Sequence, residues 1–331
     1  MIDYKLLPKV ELHVHLDGSV RPETVAEILN RNKEEVKYEM IAKNKCEDLN
    51  DYLTKFSTPI LAMQTKENLS KIAYELAIDL KNDKVLYAEI RFAPMKHLEQ
   101  GLNKYEVVES ILEGLSRVDI KTNLILCMMR GADLEEIMEV IDLAKHFLGK
   151  GVCAVDLAGA EALYPTSDYK ELFTYAKKLG IPYTIHAGEA DGYDSIKAAI
   201  EFGAKRLGHG VNIIGHEDLI EKVINNGILL EVCPTSNVQT NIVSNYKDLP
   251  IKKIYDKGVL ISINTDNRTV SNTNLTKEYQ NIVNSLNFTE EDIINMNRNA
   301  INCSFLLENE KKELLNKYNS LIWGEKWNTE K

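Results

Sequence analysis

The sequence predicts a (β/α)8 barrel, a closed ring of eight parallel strands surrounded by helices. Eight short apolar runs alternate with longer amphipathic stretches, which is the pattern of strands joined by crossover helices. The length of 331 residues is also typical of this barrel with additional elements. A doubly wound open sheet is the competing fold, and the count of strands favours the closed barrel.

The predicted strands begin near the N-terminus and recur along the chain. They cover residues 9–16, 84–92, 121–129, 151–158, 181–187, 204–208, 227–233 and 258–264. In the first strand, apolar residues alternate with Glu11, His13 and His15, so both histidines leave the strand on the same face. Between strands, the spacing of apolar residues predicts amphipathic helices over 103–117 and 134–147.

Two segments are longer than the repeat requires. Residues 17–83 exceed a single crossover helix, and apolar residues recur at helical spacing near their middle. This pattern fits either a packed extra helix, which it favours by itself, or a lid over the barrel mouth. Residues 269–331 form a predicted helical tail, whose last clear helix begins at Thr289. We expect a single domain, residues 1–331, without a linker or an internal repeat.

Composition narrows the classes of function. The formal net charge of −10 disfavours binding to nucleic acid. Five scattered cysteines without a Cys-x-x-Cys pair are typical of reduced thiols in the cytoplasm. The N-terminus lacks the pattern of a signal peptide, and no apolar run is long enough to span a membrane. We therefore expect a cytoplasmic protein with a small-molecule partner; the sequence leaves the oligomeric state open.

Titratable residues stand where the apolar runs stop. They are His13, His15, Asp17, Asp156, His186, Glu189, His209, Glu231 and Asp266, followed by His216 further along a loop. In parallel barrels the active site lies at the carboxyl ends of the strands, so these side chains are expected to converge. Three histidines and an aspartate can form a mononuclear metal site, and these donors suit zinc with one position open for water.

The residues at these strand ends also indicate how many metal ions the site holds and which groups could transfer protons. A related class of barrel hydrolases binds two metals through a modified lysine on the fourth strand. Residues 151–159 contain no lysine, which favours one metal. Glu189 lies three residues after His186 and can supply a proton without being a ligand. His209 can take a proton from water or hold the hydroxide in place.

Six motifs in this order and spacing resemble the adenosine deaminase family of metal-dependent barrel amidohydrolases. They are HVHLDG, DLAG, HAGE, LGHG, CPTSN and NTDN. The opening PKVELHVHLDGS also resembles that of the family, and the similarity covers nearly the whole chain. The resemblance implies a distorted barrel with one zinc ion. It implies hydrolysis of the 6-amino group of adenosine or 2′-deoxyadenosine, giving inosine or 2′-deoxyinosine and ammonia.

The resemblance also implies roles for individual residues. The zinc ligands would be His13, His15, His186 and Asp266, and the catalytic groups would be Glu189 and His209. Glu189 would protonate the ring nitrogen next to the reacting carbon, and His209 would orient or activate the hydroxide. The substrate-binding residues would be His15, Asp17, Gly159 and Asn267, with Asp17 at the ribose and the Gly159 backbone at the purine. The helix near 50–65 matches the family's hydrophobic lid.

One position departs from the family pattern. Many relatives carry Asp-Asp where this chain has Asp266-Asn267, and we expect the Asn267 amide to donate to nitrogen 7 of the purine. Adenine, methylthioadenosine or a modified nucleoside are alternative substrates. A non-catalytic purine-binding barrel is the alternative from another class, and Glu189 and His209 argue against it. The absence of P-C-x-x-C disfavours a deaminase of nucleic-acid bases.

Overall fold

A computed structural model describes residues 3–324 and confirms the barrel. Its strands are β1 Lys9–His15, β2 Val85–Phe92, β3 Lys121–Met129, β4 Val152–Ala158, β5 Tyr183–Ala187, β6 Arg206–His209, β7 Leu229–Val232 and β8 Leu260–Ile263. Each strand pairs in parallel with the next along the chain. All eight predicted strands are therefore present, with ends shifted by a few residues. His209, expected after the sixth strand, is the last residue of β6.

Helices occupy the connections between the strands and both additional segments. They are α1 Pro22–Leu29, α2 Lys33–Met40, α3 Leu49–Leu53, α4 Ser57–Ala62, α5 Lys66–Asn82, α6 Lys104–Ser116, α7 Leu134–Phe147, α8 Lys170–Lys178, α9 Tyr193–Phe202, α10 Glu217–Asn225, α11 Pro234–Gln239, α12 Ile251–Asp256, α13 Leu275–Leu286, α14 Glu290–Cys303 and α15 Glu308–Gly324. The helices predicted over 103–117 and 134–147 correspond to α6 and α7.

Two expectations about the additional segments need correction. The segment between β1 and β2 contains five α-helices, α1 to α5, rather than one crossover helix and one extra helix. Buried residues of α1 and α2 belong to the main core, whereas residues of α3 and α4 line the pocket at the barrel mouth. The helix that begins after Thr289 is α14, and it has the expected capping box with Asp292. It is not the last helix, since α15 follows it. The acidic and basic residues of α15 weaken its apolar periodicity. For this reason the sequence did not indicate α15 as a separate helix.

The strands are buried on both faces, as in other parallel barrels. Apolar side chains such as Leu12 and Leu157 belong to the main hydrophobic core. Charged side chains alternate with them, and Glu11, Arg91 and Glu231 are fully buried. A polar outer face for β1, the ordinary alternative to a functional strand, is thus excluded by the burial of Glu11 and His13.

The barrel closes between β1 and β8 through few backbone contacts. A single parallel bridge joins Val14 to Asp266. Side chains complete the seam: the Leu12 N–H donates to Asn264 Oδ1 at 3.0 Å, and Thr265 donates to Glu11 through its N–H and its hydroxyl, each at 3.0 Å. The residues that close the barrel therefore directly precede or include those of the predicted site.

The segment over the barrel mouth packs as a small cluster of its own. Leu49 and Tyr52 on α3 are buried with Val270, and Leu53 and Phe56 pack against them, apart from the main core. The Phe56 ring lies 6.5 Å from that of His15. This position agrees with the lid interpretation rather than with a helix of the main core.

Within the described residues, the hydropathy of the helices identifies no candidate membrane span.

Candidate active site

Three predicted histidines and one aspartate meet at the carboxyl ends of β1, β5 and β8. The donor atoms of His13, His15, His186 and Asp266 all lie within 4.8 Å of one another. Asp266 Oδ1 is 3.3 Å from His13 Nε2 and 3.4 Å from His15 Nε2. Asp266 adopts a left-handed backbone conformation with φ of 58°, which is uncommon for a residue other than glycine.

Buried carboxylates hold two of these rings in a defined orientation. His13 Nδ1 lies 3.0 Å from Glu231 Oε2, and His186 Nδ1 lies 2.9 Å from Asp156 Oδ2. Each ring therefore has its Nε2 free for the centre of the cluster. His13 Nε2 is buried, and it faces another member of the cluster, Asp266 Oδ1, at 3.3 Å. A histidine with one nitrogen on a carboxylate and the other directed to a shared point is typical of metal ligands.

The carboxylates belong to a chain of ion pairs through the barrel interior. Arg91 bridges Asp156 Oδ2 at 2.9 Å and Glu231 Oε2 at 2.8 Å. Arg206 continues the chain to Glu231 Oε1 at 2.7 Å and to Glu89 Oε2 at 2.6 Å. All five side chains are fully buried. Burial raises the pKa of Glu231, but the two guanidinium groups and His13 outweigh it and hold this pKa well below its usual range.

The two predicted catalytic groups lie beside the cluster and in contact with each other. Glu189 Oε2 is 3.4 Å from His209 Nε2. On the other side of the ring, His209 Nδ1 lies 2.9 Å from the amide nitrogen of Asn237. The His209 ring is 5.1 Å from that of His13. His209 also combines with His13 and Cys233 in a second set of donor atoms that could hold a metal.

Burial sets the protonation states of this pair. It raises the pKa of Glu189 well above its usual value, and the negative charges of Asp266 and Glu161 act in the same direction. Burial lowers the pKa of His209 well below its usual value. Burial thus favours the protonated form of Glu189 and the neutral form of His209, the forms suited to proton donation and acceptance.

The predicted site residues, with the exception of His13, line one pocket of about 270 Å³. They are His15, Asp17, Gly159, His186, Glu189, His209, Asp266 and Asn267.

Burial raises the pKa of Asp17 to about 7. Asn267 donates through its Nδ2 to the Tyr52 hydroxyl at 3.1 Å. A side chain at Gly18 would collide with Asn267, so this glycine allows the two loops to approach.

Other residues of the site were not assigned a role from the sequence. Asp156 and Glu231 were recognised as polar residues near strand ends, but not as partners of the histidines. Arg91 was missed, although a charged residue within an apolar strand is a signal for a buried ion pair. His216 lies outside the cluster, where its ring stacks on that of Tyr193 with centroids 4.1 Å apart.

A histidine–carboxylate cluster at the carboxyl ends of barrel strands, next to a buried acid, places the molecule in the class of barrel amidohydrolases. The sequence comparison is more specific. The model of the adenosine deaminase family matches residues 8–320, and the chain belongs to this family. The family performs hydrolytic deamination.

Relatives agree with this assignment. An adenosine deaminase of Clostridium acetobutylicum is 46% identical over 325 residues, which is 94% of this chain and 97% of the relative. The solved structure of an Arabidopsis protein named ADAL, in complex with GMP, is similar with a TM-score of 0.87 at 25% identity, covering 96% of this chain and 98% of that one. An Arabidopsis N6-mAMP deaminase has a TM-score of 0.86 at 25% identity, covering 96% and 99%.

The ion-pair chain predicts a large stability effect of Glu231→Gln. This variant leaves Arg91 and Arg206 without a shared carboxylate in the barrel interior, and breaking such a buried pair costs about 3–5 kcal/mol. The matched control is Glu217→Gln, which breaks an exposed pair with Lys257 and should change stability little. Urea denaturation of both metal-free variants measures the difference. Equal stabilities would contradict the predicted importance of the buried pair.

Proposed function

We propose that this protein is a zinc-dependent hydrolase that converts adenosine to inosine and 2′-deoxyadenosine to 2′-deoxyinosine, with release of ammonia. The observation that carries the proposal is the juxtaposition of Glu189, His209 and the histidine–aspartate cluster at one pocket. Relatives at 40–46% identity that bear the name adenosine deaminase support the choice of substrate.

The four-residue cluster has the donors that zinc requires. Neutral imidazoles and a carboxylate are its common ligands, and a catalytic site leaves one position open. His13, His15, His186 and Asp266 would hold the ion, with His13 and His186 oriented by Glu231 and Asp156. When bound, the metal lowers the pKa of a coordinated water and so supplies hydroxide near neutral pH.

The chain's own groups would move the protons. Glu189 would donate its proton to the ring nitrogen next to the carbon that bears the amino group, which makes this carbon more electrophilic. His209, held by Asn237 on its far side, would orient the attacking oxygen or accept its proton. The proton taken from the attacking oxygen would then pass to the amino group, whose bond to the carbon breaks as ammonia leaves. The remaining hydroxyl proton would return to Glu189 as the carbonyl of the product forms. Burial raises the pKa of Glu189, which favours the protonated form that this role requires.

The rest of the pocket would bind the nucleoside and exclude water. We place the ribose at Asp17 and the purine at the backbone of Gly159, both of which line the pocket. Leu53, Phe56 and Ile60 line it from the lid side and present apolar surface to the substrate. Exclusion of water by this lid would strengthen the electrostatic interactions at the reacting carbon.

The first test is ammonia release from adenosine together with elemental analysis. We expect turnover of adenosine, about one zinc per chain as a mononuclear site requires, and loss of activity on chelation that zinc restores. Adenine, methylthioadenosine and N6-methyl-AMP test the alternative substrates, since a similar Arabidopsis structure is an N6-mAMP deaminase. These reactions are followed by the change in ultraviolet absorbance of the purine, because N6-methyl-AMP would release methylamine rather than ammonia. If the enzyme prefers one of these compounds, that purine rather than adenosine is the substrate. If full activity requires two metal ions per chain, the proposal of a single metal site is wrong.

The role of Glu189 predicts a specific loss in Glu189→Gln. The amide keeps the shape of the side chain but has no acidic proton, so kcat should fall about a hundredfold or more, the scale of general acid catalysis. The zinc content should stay the same, because Glu189 is not in the ligand cluster. A variant that loses its zinc instead would identify Glu189 as a ligand.

The placement of Asn267 predicts discrimination against 7-deazaadenosine. Its amide nitrogen donates one hydrogen to Tyr52 and has a second for nitrogen 7 of the purine. The deaza analogue leaves that donor unpaired, at a cost of about 1–3 kcal/mol in kcat/KM. Asn267→Ala should remove most of this discrimination when both enzymes are measured with both substrates. Equal discrimination by the two enzymes would show that Asn267 does not contact nitrogen 7.

A further inference from the structure

Glu161, on the loop that follows β4, is almost completely buried and accepts hydrogen bonds from four consecutive backbone N–H groups. Its Oε1 accepts from Gly188 at 2.6 Å. Its Oε2 accepts from Glu189 at 2.9 Å, from Ala190 at 2.5 Å and from Asp191 at 3.3 Å. Successive N–H groups that point to one place form a concavity that binds anions, and here a side chain of the same protein occupies it.

These four residues form the turn that carries Glu189. The turn has neither helical nor strand hydrogen bonding, and Gly188 adopts a left-handed conformation with φ of 79°. Within residues 3–324, Glu161 is the only hydrogen-bond acceptor assigned to its four N–H groups. On the carbonyl side, Asn212 donates to the backbone oxygens of Gly188 at 3.3 Å and of Glu189 at 3.1 Å. The backbone of the turn is thus fixed from two sides.

The side chain of Glu189 has little support of its own. Its Oε1 is buried and has no assigned hydrogen-bond partner among the described residues, and the Thr240 hydroxyl acts on the carboxyl group as a donor, which opposes the rise in pKa caused by burial. Its Oε2 lies 3.4 Å from His209, which is too long for a strong hydrogen bond. The position of the carboxyl group therefore depends on the backbone from which it projects. A shift of about 1 Å in a catalytic group can cost about a hundredfold in rate.

We propose that Glu161 is a positioning residue for Glu189: it binds the backbone of the 188–191 turn as an internal anion and so holds the proton donor over the reacting centre. The proposal rests on the proposed function for the role of Glu189. Charge-assisted hydrogen bonds from four donors make this anchor strong. Glutamine at position 161 cannot replace it, because it has one acceptor oxygen and would direct its own N–H groups at backbone N–H groups.

The test is a double-mutant cycle in the zinc-loaded enzyme. Glu161→Gln should lower kcat for adenosine about tenfold to a hundredfold, with little change in KM or in zinc content. In the Glu189→Gln background the same substitution should lower kcat no further, because the group that it positions is already absent. The matched control is Glu47→Gln, which removes an exposed carboxylate from the rim of the pocket next to Glu161 and should leave kcat unchanged.

Two results would overturn the inference. One is an unchanged kcat in Glu161→Gln. The other is an equal loss of kcat when Glu161→Gln is introduced into the wild type and into Glu189→Gln, which indicates a general structural role. Hydrogen exchange gives a second measurement. The amides of the 188–191 turn should be protected in the wild type and lose protection in Glu161→Gln, and an unprotected turn in the wild type contradicts the anchor even if the variant does not fold. If the wild type fails to deaminate adenosine, the proposed function is wrong, and hydrogen exchange still decides whether Glu161 holds the turn.

Discussion

The buried ion pairs inside the barrel are the constraint on which the site depends. A charge in a low-dielectric interior is tolerated only with a partner, so Glu89, Arg206, Glu231, Arg91 and Asp156 must form one connected chain. The carboxylates at Glu231 and Asp156 also contact histidines of the candidate metal cluster. The same interactions therefore neutralise the interior and orient the rings, which links the integrity of the fold to the geometry of the site.

Much of this architecture could be predicted from the sequence, because it is encoded locally. Strand periodicity and the count of apolar runs gave the barrel, and titratable residues at strand ends gave the location of the site. The particular ligand set came from family resemblance, and the structure brings His13, His15, His186 and Asp266 together as that resemblance implied. The strands and the location of the site depend on residue type and on spacing along the chain, and both can be read from a single sequence.

Pairings between distant residues could not be predicted in this way. Nothing in the neighbourhood of Glu161 indicates that its carboxylate meets the backbone of residues 188–191, since the contact depends on how two loops lie at the barrel mouth. The same holds for Arg91, whose partners lie on β4 and β7. The number of helices between β1 and β2 was underestimated for a different reason: α1 to α4 are short, and α2 has weak hydrophobic periodicity.

The seam between β1 and β8 has a consequence for the order of events during synthesis. Leu12 and Asn264, which meet across it, are 252 residues apart in the chain. His13 is therefore synthesised long before its neighbour Asp266. Contacts of such long sequence separation form slowly, because a large loop must close first. The complete donor set of the candidate cluster therefore exists only after Asp266 has been synthesised and the seam has formed, so an ion that needs all four residues could be bound only late in folding.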